Sequence, residues 1–487
     1  MSVPFQPTEE QCIAVAAAQQ GADLKIKAFA GAGKTSTLQL IAQGFGSRRG
    51  IYLAFNRDIA ASAARKLPPH VTSRTMHAQA WASADAALKR RAALAPEPPH
   101  ALAARFGIGP VEVRTVTGKA VELMPFETGR MIADALGRFC RSADARPETH
   151  HLVTDDKLDE SVAAALRAWL LPAVRRLWEE SAAPGSRSAV SPDVVLKLWA
   201  MQAPRIEADY ILFDEAQDSD GVMLSVLANQ RHAQVIYVGD PYQQIYEWRG
   251  AVNAMAQIAA PECALTESFR FGETFAVLAS RLLARLGERV PLRGQSTIGS
   301  ILVEDPALEP PVDAVLCRKN VTAIWQLAAG LEAGHRPAIR MSPTEIAAFA
   351  DGADQLLARQ RAFRPAALSL FETWQEAQAF SRTPFGQDLL PVVQIVDELG
   401  TGYLRSLAQQ CTPEAQADYV ISTVHRAKGL EWKRVRVTND FRFRGADGAP
   451  VPDEDEIRLL YVAITRAQHV LDISAMRDDL LRLVARR

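Results

Sequence analysis

The chain contains a short run whose residue types suit phosphate chemistry: Ala28-Phe29-Ala30-Gly31-Ala32-Gly33-Lys34-Thr35. Glycine lets the backbone turn tightly, so that its N–H groups can face a phosphate. A helix opening near Lys34 adds the favourable field of its N-terminus. In that setting Lys34 reaches the β- and γ-phosphates of a nucleotide, and Thr35 holds Mg2+. Ala30, Gly31, Ala32, Gly33, Lys34, Thr35 and Ser36 are therefore the candidate nucleotide-binding positions. The general phosphate-loop pattern has a fourth small residue, usually glycine, where this chain has Ala28. Such a loop needs an acidic partner on a nearby strand. The run Tyr210-Ile211-Leu212-Phe213-Asp214-Glu215-Ala216-Gln217-Asp218 supplies one. Its apolar part puts Asp214 at a strand end, where it can share Mg2+ with Thr35. Glu215 can orient and deprotonate the attacking water.

Strands and helices must position these residues. Leu24 to Phe29 alternates at period two. The runs 51–55, 210–213 and 235–238 are continuously apolar, as strands buried on both faces are. The second half repeats the style at 314–317, 435–438 and 470–474. Strands separated by helical patterns predict parallel sheets in two α/β units. Residues 82–204 are rich in Ala, Arg and Leu at helical spacing, with proline breaks at 96–99, 147, 172, 184 and 192 and no clear strand run. Residues 345–414 again read as helices, with breaks near Pro384 and Pro391. The expected division is 1–81 with 205–270, a helical insertion at 82–204, then 271–344 with 415–487, and a second, reduced helical insertion at 345–414.

The 487 residues carry 55 Lys+Arg against 56 Asp+Glu, a net charge of −1. With 48% hydrophobic and 23% charged residues the chain can bury a sizeable core, which excludes dominant disorder. The five cysteines at 12, 140, 263, 317 and 411 form no C-x-x-C pair, which argues against a disulfide scaffold or zinc ribbon. No apolar run is long enough for a membrane span, and no secretory signal opens the sequence, so a cytoplasmic location is expected. Residues 45–130 carry 13 Lys/Arg against six Asp/Glu, so that stretch is basic despite the neutral total, a pattern that an ordinary solvated surface also gives.

Further motifs, in this order, resemble those of superfamily 1 helicases of the UvrD/Rep/PcrA type. They are Thr8-Glu9-Glu10-Gln11, the phosphate loop, Asp214-Glu215-Ala216-Gln217-Asp218, residues 239–251, Glu267-Ser268-Phe269-Arg270, residues 423–432 and residues 460–467. The stretch from Tyr419 to Trp432, with Asp440-Phe441 after it, is most similar to the F-box DNA helicase branch, although no F-box-like segment is read in this sequence. The resemblance implies two RecA-like motor cores that bind ATP and Mg2+ between them. It implies that Gln11 reads adenine, that Gln243 senses the γ-phosphate, and that Arg270 and Arg466 meet it. Phe269 would pack on adenine, and Glu431 would belong to the nucleotide-coupled motif. It also implies DNA contacts at Phe55, Asn56, Thr75, His77, Tyr246, Trp248, Arg249 and His425. Flat aromatic faces such as Trp248 suit base stacking. The expected activity is an ATP-dependent 3′ to 5′ translocase or helicase on single-stranded DNA and tailed duplex DNA, driving strand separation or protein displacement. The alternative is a nucleic-acid-binding scaffold, or a partner-dependent protein with little motor activity of its own.

Overall fold

The computed structural model describes residues 6–118, 120–154, 158–245, 254–308, 310–360, 368, 371, 373–382, 389–441 and 453–485. The chain forms two compact units, one of residues 1–28 and 34–265, the other of residues 29–33 and 266–487. Each contains a six-stranded, all-parallel sheet with helices around it, as expected of two RecA-like cores.

In the first unit the strands are β1 (Leu24–Ala28), β2 (Gly50–Ala54), β3 (Val71–Thr75), β6 (Tyr210–Phe213), β7 (Gln234–Gly239) and β8 (Glu262–Leu265). Their order across the sheet is β3-β2-β6-β7-β1-β8. Strand β1, next to the edge strand β8, has Ile26 opposite Val238 on one side and Cys263 on the other. Strands β2, β6 and β7 are buried along their whole length, as strands of a parallel sheet covered on both faces are. Helix α1 (Glu9–Ala18) precedes β1, and the connections between strands include α2 (Lys34–Gly44), α3 (Arg57–Ala64) and α4 (Met76–Ser83). Ile51, Leu53, Ile211, Phe213, Val235 and Tyr237 form one face of the core, against Met76, Leu196 and Trp199 from the helices.

Residues 84–204 hold α5 (Ala86–Ala92), α6 (Pro99–Arg105), α7 (Pro125–Arg141), α8 (Glu160–Ala182) and α9 (Pro192–Ala200), with α10 (Gly221–Ala228) and α11 (Ala254–Gln257) following later in the unit. Two expectations fail here. The stretch is not free of strands: β4 (Val111–Arg114) and β5 (Ala120–Leu123) pair antiparallel. Val113 and Leu123 point into the core beneath, and Gly118, at φ +78°, lets the turn close. Pro172 does not break its helix either, because α8 runs through it. Leu170, Leu171, Ala173 and Val174 around it are buried, so packing offsets the missing backbone donor.

The second unit contains β9 (Ile301–Val303), β10 (Ala314–Cys317), β11 (Pro337–Ile339), β12 (Tyr419–Thr423), β13 (Trp432–Val437) and β14 (Ala467–Asp472), ordered β11-β12-β10-β13-β14-β9. Its helices are α12 (Glu273–Arg285), α13 (Asn320–Glu332), α14 (Pro343–Leu357), α15 (Trp374–Ser381), α16 (Leu390–Gln409), α17 (Val424–Ala427), α18 (Glu454–Ile464) and α19 (Arg477–Ala485). Pro391 falls in the first turn of α16, where proline starts a helix rather than ending one. Among the described residues no helix is long and apolar enough to cross a membrane.

Candidate active site

The strand β1 ends at Ala28, and α2 begins at Lys34, so the glycine-bearing run is a loop between strand and helix. Gly31 and Gly33 both take φ +75°, the left-handed region that side chains resist. Lys34 is therefore the first residue of α2, with Thr35 beside it. Across the sheet, β6 delivers Asp214 and Glu215 at its C-terminal end. Glu215 itself sits at φ 54°, which is costly for a residue with a side chain.

Lys34 Nζ lies 2.7 Å from Glu215 Oε2. Burial alone would lower the lysine pKa. The nearby carboxylates of Glu215, Asp214 and Asp240 outweigh it, and the ammonium is held above its ordinary value. Asp214 is buried and accepts a short hydrogen bond from the Tyr52 hydroxyl. Burial, and then the charge of Glu215, push the Asp214 carboxyl up to about 6. The same burial, with Asp214 beside it, raises the Tyr52 phenol. Gln217 ties the site together, since its Nε2 donates to Glu215 at 2.6 Å and its Oε1 accepts from Asp240 N–H at 3.0 Å. Gly239 makes this possible, because a Cβ there would come within 2.4 Å of Gln217 Oε1. Gln243 Nε2 in turn donates to Asp240 Oδ2 at 2.7 Å.

Three carboxylates thus face one ammonium, so the site is short of positive charge. The oxygen donors Thr35 and Asp214 fit Mg2+, a hard cation. Gln11 is almost fully buried. Its amide accepts from Thr8 N–H at 3.1 Å and donates to Thr37 Oγ1 at 3.2 Å, closing a capping box on α1. Ser36 lies in the first turn of α2 and is partly exposed.

Within the second unit, Phe269 N–H donates to Gly31 O at 2.9 Å, and Ala30 N–H donates to the Tyr461 hydroxyl at 3.1 Å. A Cβ on Gly31 would meet Ser268 Oγ at 2.4 Å. Ala32 is buried, and the Phe269 ring is 38% exposed. Arg270 pairs with Glu431 at 2.6 Å and donates to Thr465 O at 2.9 Å. Arg466 is buried, and its guanidinium donates to Val462 O, Leu430 O and Thr465 Oγ1.

Of the residues expected at DNA, Phe55 directly follows β2 and is 38% exposed. Asn56 and Thr75 cap α3 and α4, accepting from Ile59 N–H and Ala78 N–H. His77 Nε2 lies 3.1 Å from Asp193. His425 is partly exposed on α17. Tyr246, Trp248 and Arg249 lie outside the described residues. Sequence reading missed Tyr52, Gln217, Asp240 and Tyr461. Gln217, Asp240 and Tyr461 lie within motifs that the sequence singled out, but their own contacts depend on the fold.

Among the described residues, Asp144, His150 and His151 also converge. His151 Nδ1 lies 2.9 Å from Glu148 N–H, and its Nε2 faces Asp144 and Ser142. His150 Nε2 also meets Asp144, at 2.8 Å, so the three side chains form one hydrogen-bonded network.

The family model of the UvrD/REP helicase N-terminal domain matches residues 191–262, and that of the UvrD-like helicase C-terminal domain matches residues 370–478. The chain is similar to F-box DNA helicase 1 of Gallus gallus, 28% identical over 525 residues, covering 98% of this chain and 49% of the relative. It is also similar to F-box DNA helicase protein 1 of Schizosaccharomyces pombe, 29% identical over 521 residues, covering 98% of this chain and 58% of that protein. The chain spans about half the length of the curated relatives it matches.

Proposed function

We propose that this chain, which carries the N- and C-terminal domains of the UvrD-like helicases, is an ATP-driven translocase or helicase on single-stranded DNA, moving 3′ to 5′. The observation that carries the proposal is the Lys34–Glu215 pair beside buried Asp214. A nucleotide phosphate competes with Glu215 for Lys34. Once the ammonium turns to the phosphates, the Glu215 carboxylate is released to take a proton from the attacking water. Thr35 and Asp214 would hold Mg2+, which would offset the charge of the phosphates when bound. Gln243, Arg270 and Arg466 are assigned to the γ-phosphate, and Gln11, Phe269 and Glu431 to the nucleotide's other contacts. Phe55, Asn56, Thr75, His77 and His425 are assigned to DNA, with Tyr246, Trp248 and Arg249. Contacts of this kind engage the backbone and base faces, so binding is sequence-independent and salt-sensitive.

The test is ATP hydrolysis by the wild type and Glu215→Gln with no nucleic acid, single-stranded DNA, duplex DNA or single-stranded RNA. Strong stimulation by single-stranded DNA, lost in Glu215→Gln, is expected. Hydrolysis under none of these conditions would overturn the motor reading in favour of a scaffold. Unwinding of a duplex with a 3′ tail but not a 5′ tail would establish direction. Protein displacement without unwinding would identify a stripping motor.

A further inference from the structure

A second polar cluster lies where α4, α7, α9 and α10 meet in the first unit. His77, in the first turn of α4, directs Nε2 to Asp193 Oδ1. Asp193, in the first turn of α9, accepts with its other oxygen from Arg141 Nη1 at 2.8 Å. Arg141 is the last residue of α7. One carboxylate thus fixes two cationic side chains from two different helices. When Nε2–H donates to the ionised carboxylate, Nδ1 faces a further acceptor such as a phosphate oxygen as a donor in the doubly protonated ring. The His77 side chain is 39% exposed, so that acceptor can come from solution.

The same node grips the segment that follows Asp214 and Glu215. Asp220 caps α10 by accepting from Met223 N–H at 3.0 Å, and it is buried. Gly221 comes so close to the end of α7 that a Cβ would lie 3.1 Å from Ala143 N. Lys197 of α9 straps that turn down, donating to Ser142 O at 2.7 Å and Asp144 O at 2.6 Å. Residues 214–221 therefore touch the phosphate-loop lysine through Glu215 at one end and the α7–α9 node at the other.

We propose that Asp193 is a positioning residue that holds His77 for a DNA phosphate and ties it to the segment carrying Glu215, making the α7–α9 helices part of the link between DNA and nucleotide. This rests on the reading of the chain as a DNA-stimulated ATPase. Shared contacts amount to coupling only when two residues share energy, which a double-mutant cycle measures.

ATP hydrolysis by the full chain is titrated with an oligodeoxythymidine for the wild type, Asp193→Asn, His77→Ala and the double variant. Asp193→Asn should keep DNA-free hydrolysis within about twofold and raise half-saturating DNA about tenfold, as expected when a hydrogen bond to a charged group is lost. In the His77→Ala background the same change should shift half-saturation by less than about twofold, because Asp193 acts through His77. Arg141→Gln loosens the node without touching His77. It should lower the melting temperature and leave half-saturating DNA near the wild-type value. Asp193→Glu, whose longer arm moves the carboxylate off His77, replaces Asp193→Asn if that variant does not fold. A DNA-stimulated wild type with an unaltered Asp193→Asn, multiplying effects in the double variant, or an Arg141→Gln that shifts half-saturation as far as Asp193→Asn would each overturn the inference alone. A wild type with no response to DNA would overturn the functional reading, and this inference with it.

Discussion

Lys34 Nζ and Glu215 Oε2 lie 2.7 Å apart although 181 positions separate them in the chain. The pair joins the start of α2 to the residue pair that follows β6, and Glu215 is the strongest of the carboxylate influences on the Lys34 ammonium. Removing either should stop turnover in a different way. Lys34→Met should weaken nucleotide binding and cut ATP hydrolysis by about 100-fold or more. Glu215→Gln should keep nucleotide binding and lose about 100- to 10,000-fold in kcat. Nucleotide affinity by fluorescence titration beside steady-state hydrolysis separates the two. Equal loss of binding in both variants would refute a role for Glu215 in the chemical step.

Gly239→Ala tests the Gln217 bridge without touching a charged group. The new methyl would overlap Gln217 Oε1 and lie 3.1 Å from Gln217 N, so the Gln217 segment must shift. A loss of about 1–3 kcal/mol in stability is expected from the overpacking. ATP turnover should fall by about tenfold or more as Glu215 loses its Gln217 donor. Unchanged hydrolysis in a folded Gly239→Ala protein would show that Gln217 is dispensable.

Asp220 makes stability depend on pH. Burial, and then the charge of Asp193, push its carboxyl from an ordinary 3.8 up to about 6. A carboxyl raised in the folded state contributes stability that is complete below about pH 3.8 and is lost as pH rises through about 6. Asp220→Asn keeps a capping oxygen for Met223 N–H and removes the buried charge. Its apparent Tm at pH 7.5 should exceed the wild-type value by about 2 °C. The gap should shrink as pH falls to 5. A gap that widens at low pH would contradict this sign.

Phe55→Ala should weaken single-stranded DNA binding without altering DNA-free hydrolysis. Base stacking on an aromatic face is worth about 1–3 kcal/mol, so affinity should fall by about 5- to 150-fold. The slope of log affinity against log salt should stay as in the wild type, because no phosphate contact is lost. Fluorescence anisotropy at several salt concentrations reads both quantities.

How much of this was legible in the sequence depended on the kind of signal. Strands β2, β6, β7 and β10 announced themselves as apolar runs, because a strand covered on both faces needs apolar residues at every position, whereas β1 showed as an alternation of Leu, Ile and Ala with Lys. The polar strand β3, Val71 to Thr75, carries three exposed or half-exposed side chains at the sheet edge, and nothing in it stood out. The hairpin β4–β5 was hidden among helical patterns because each strand has only four residues. The phosphate loop and the Asp214-Glu215 step were readable from residue type and spacing. The partners that Lys34, Asp214 and His77 select were not, because Glu215, Tyr52 and Asp193 reach them only through the fold.

The strand order of the first sheet also sets the sequence of events during synthesis. β1 is made well before β7 and β8, yet it lies between them, and Val235 N–H meets Asp23 across 212 positions. β2 and β3 are close in sequence and can pair at once, whereas β1 leaves the ribosome with both edges open. Closing so long a loop costs little more at equilibrium than closing a short one, but contacts this distant form late. Within its own sheet, the strand that leads into the phosphate loop is thus the first made and among the last paired. Until β7 and β8 arrive it is an open edge, the kind of surface that nascent chains need chaperones to cover.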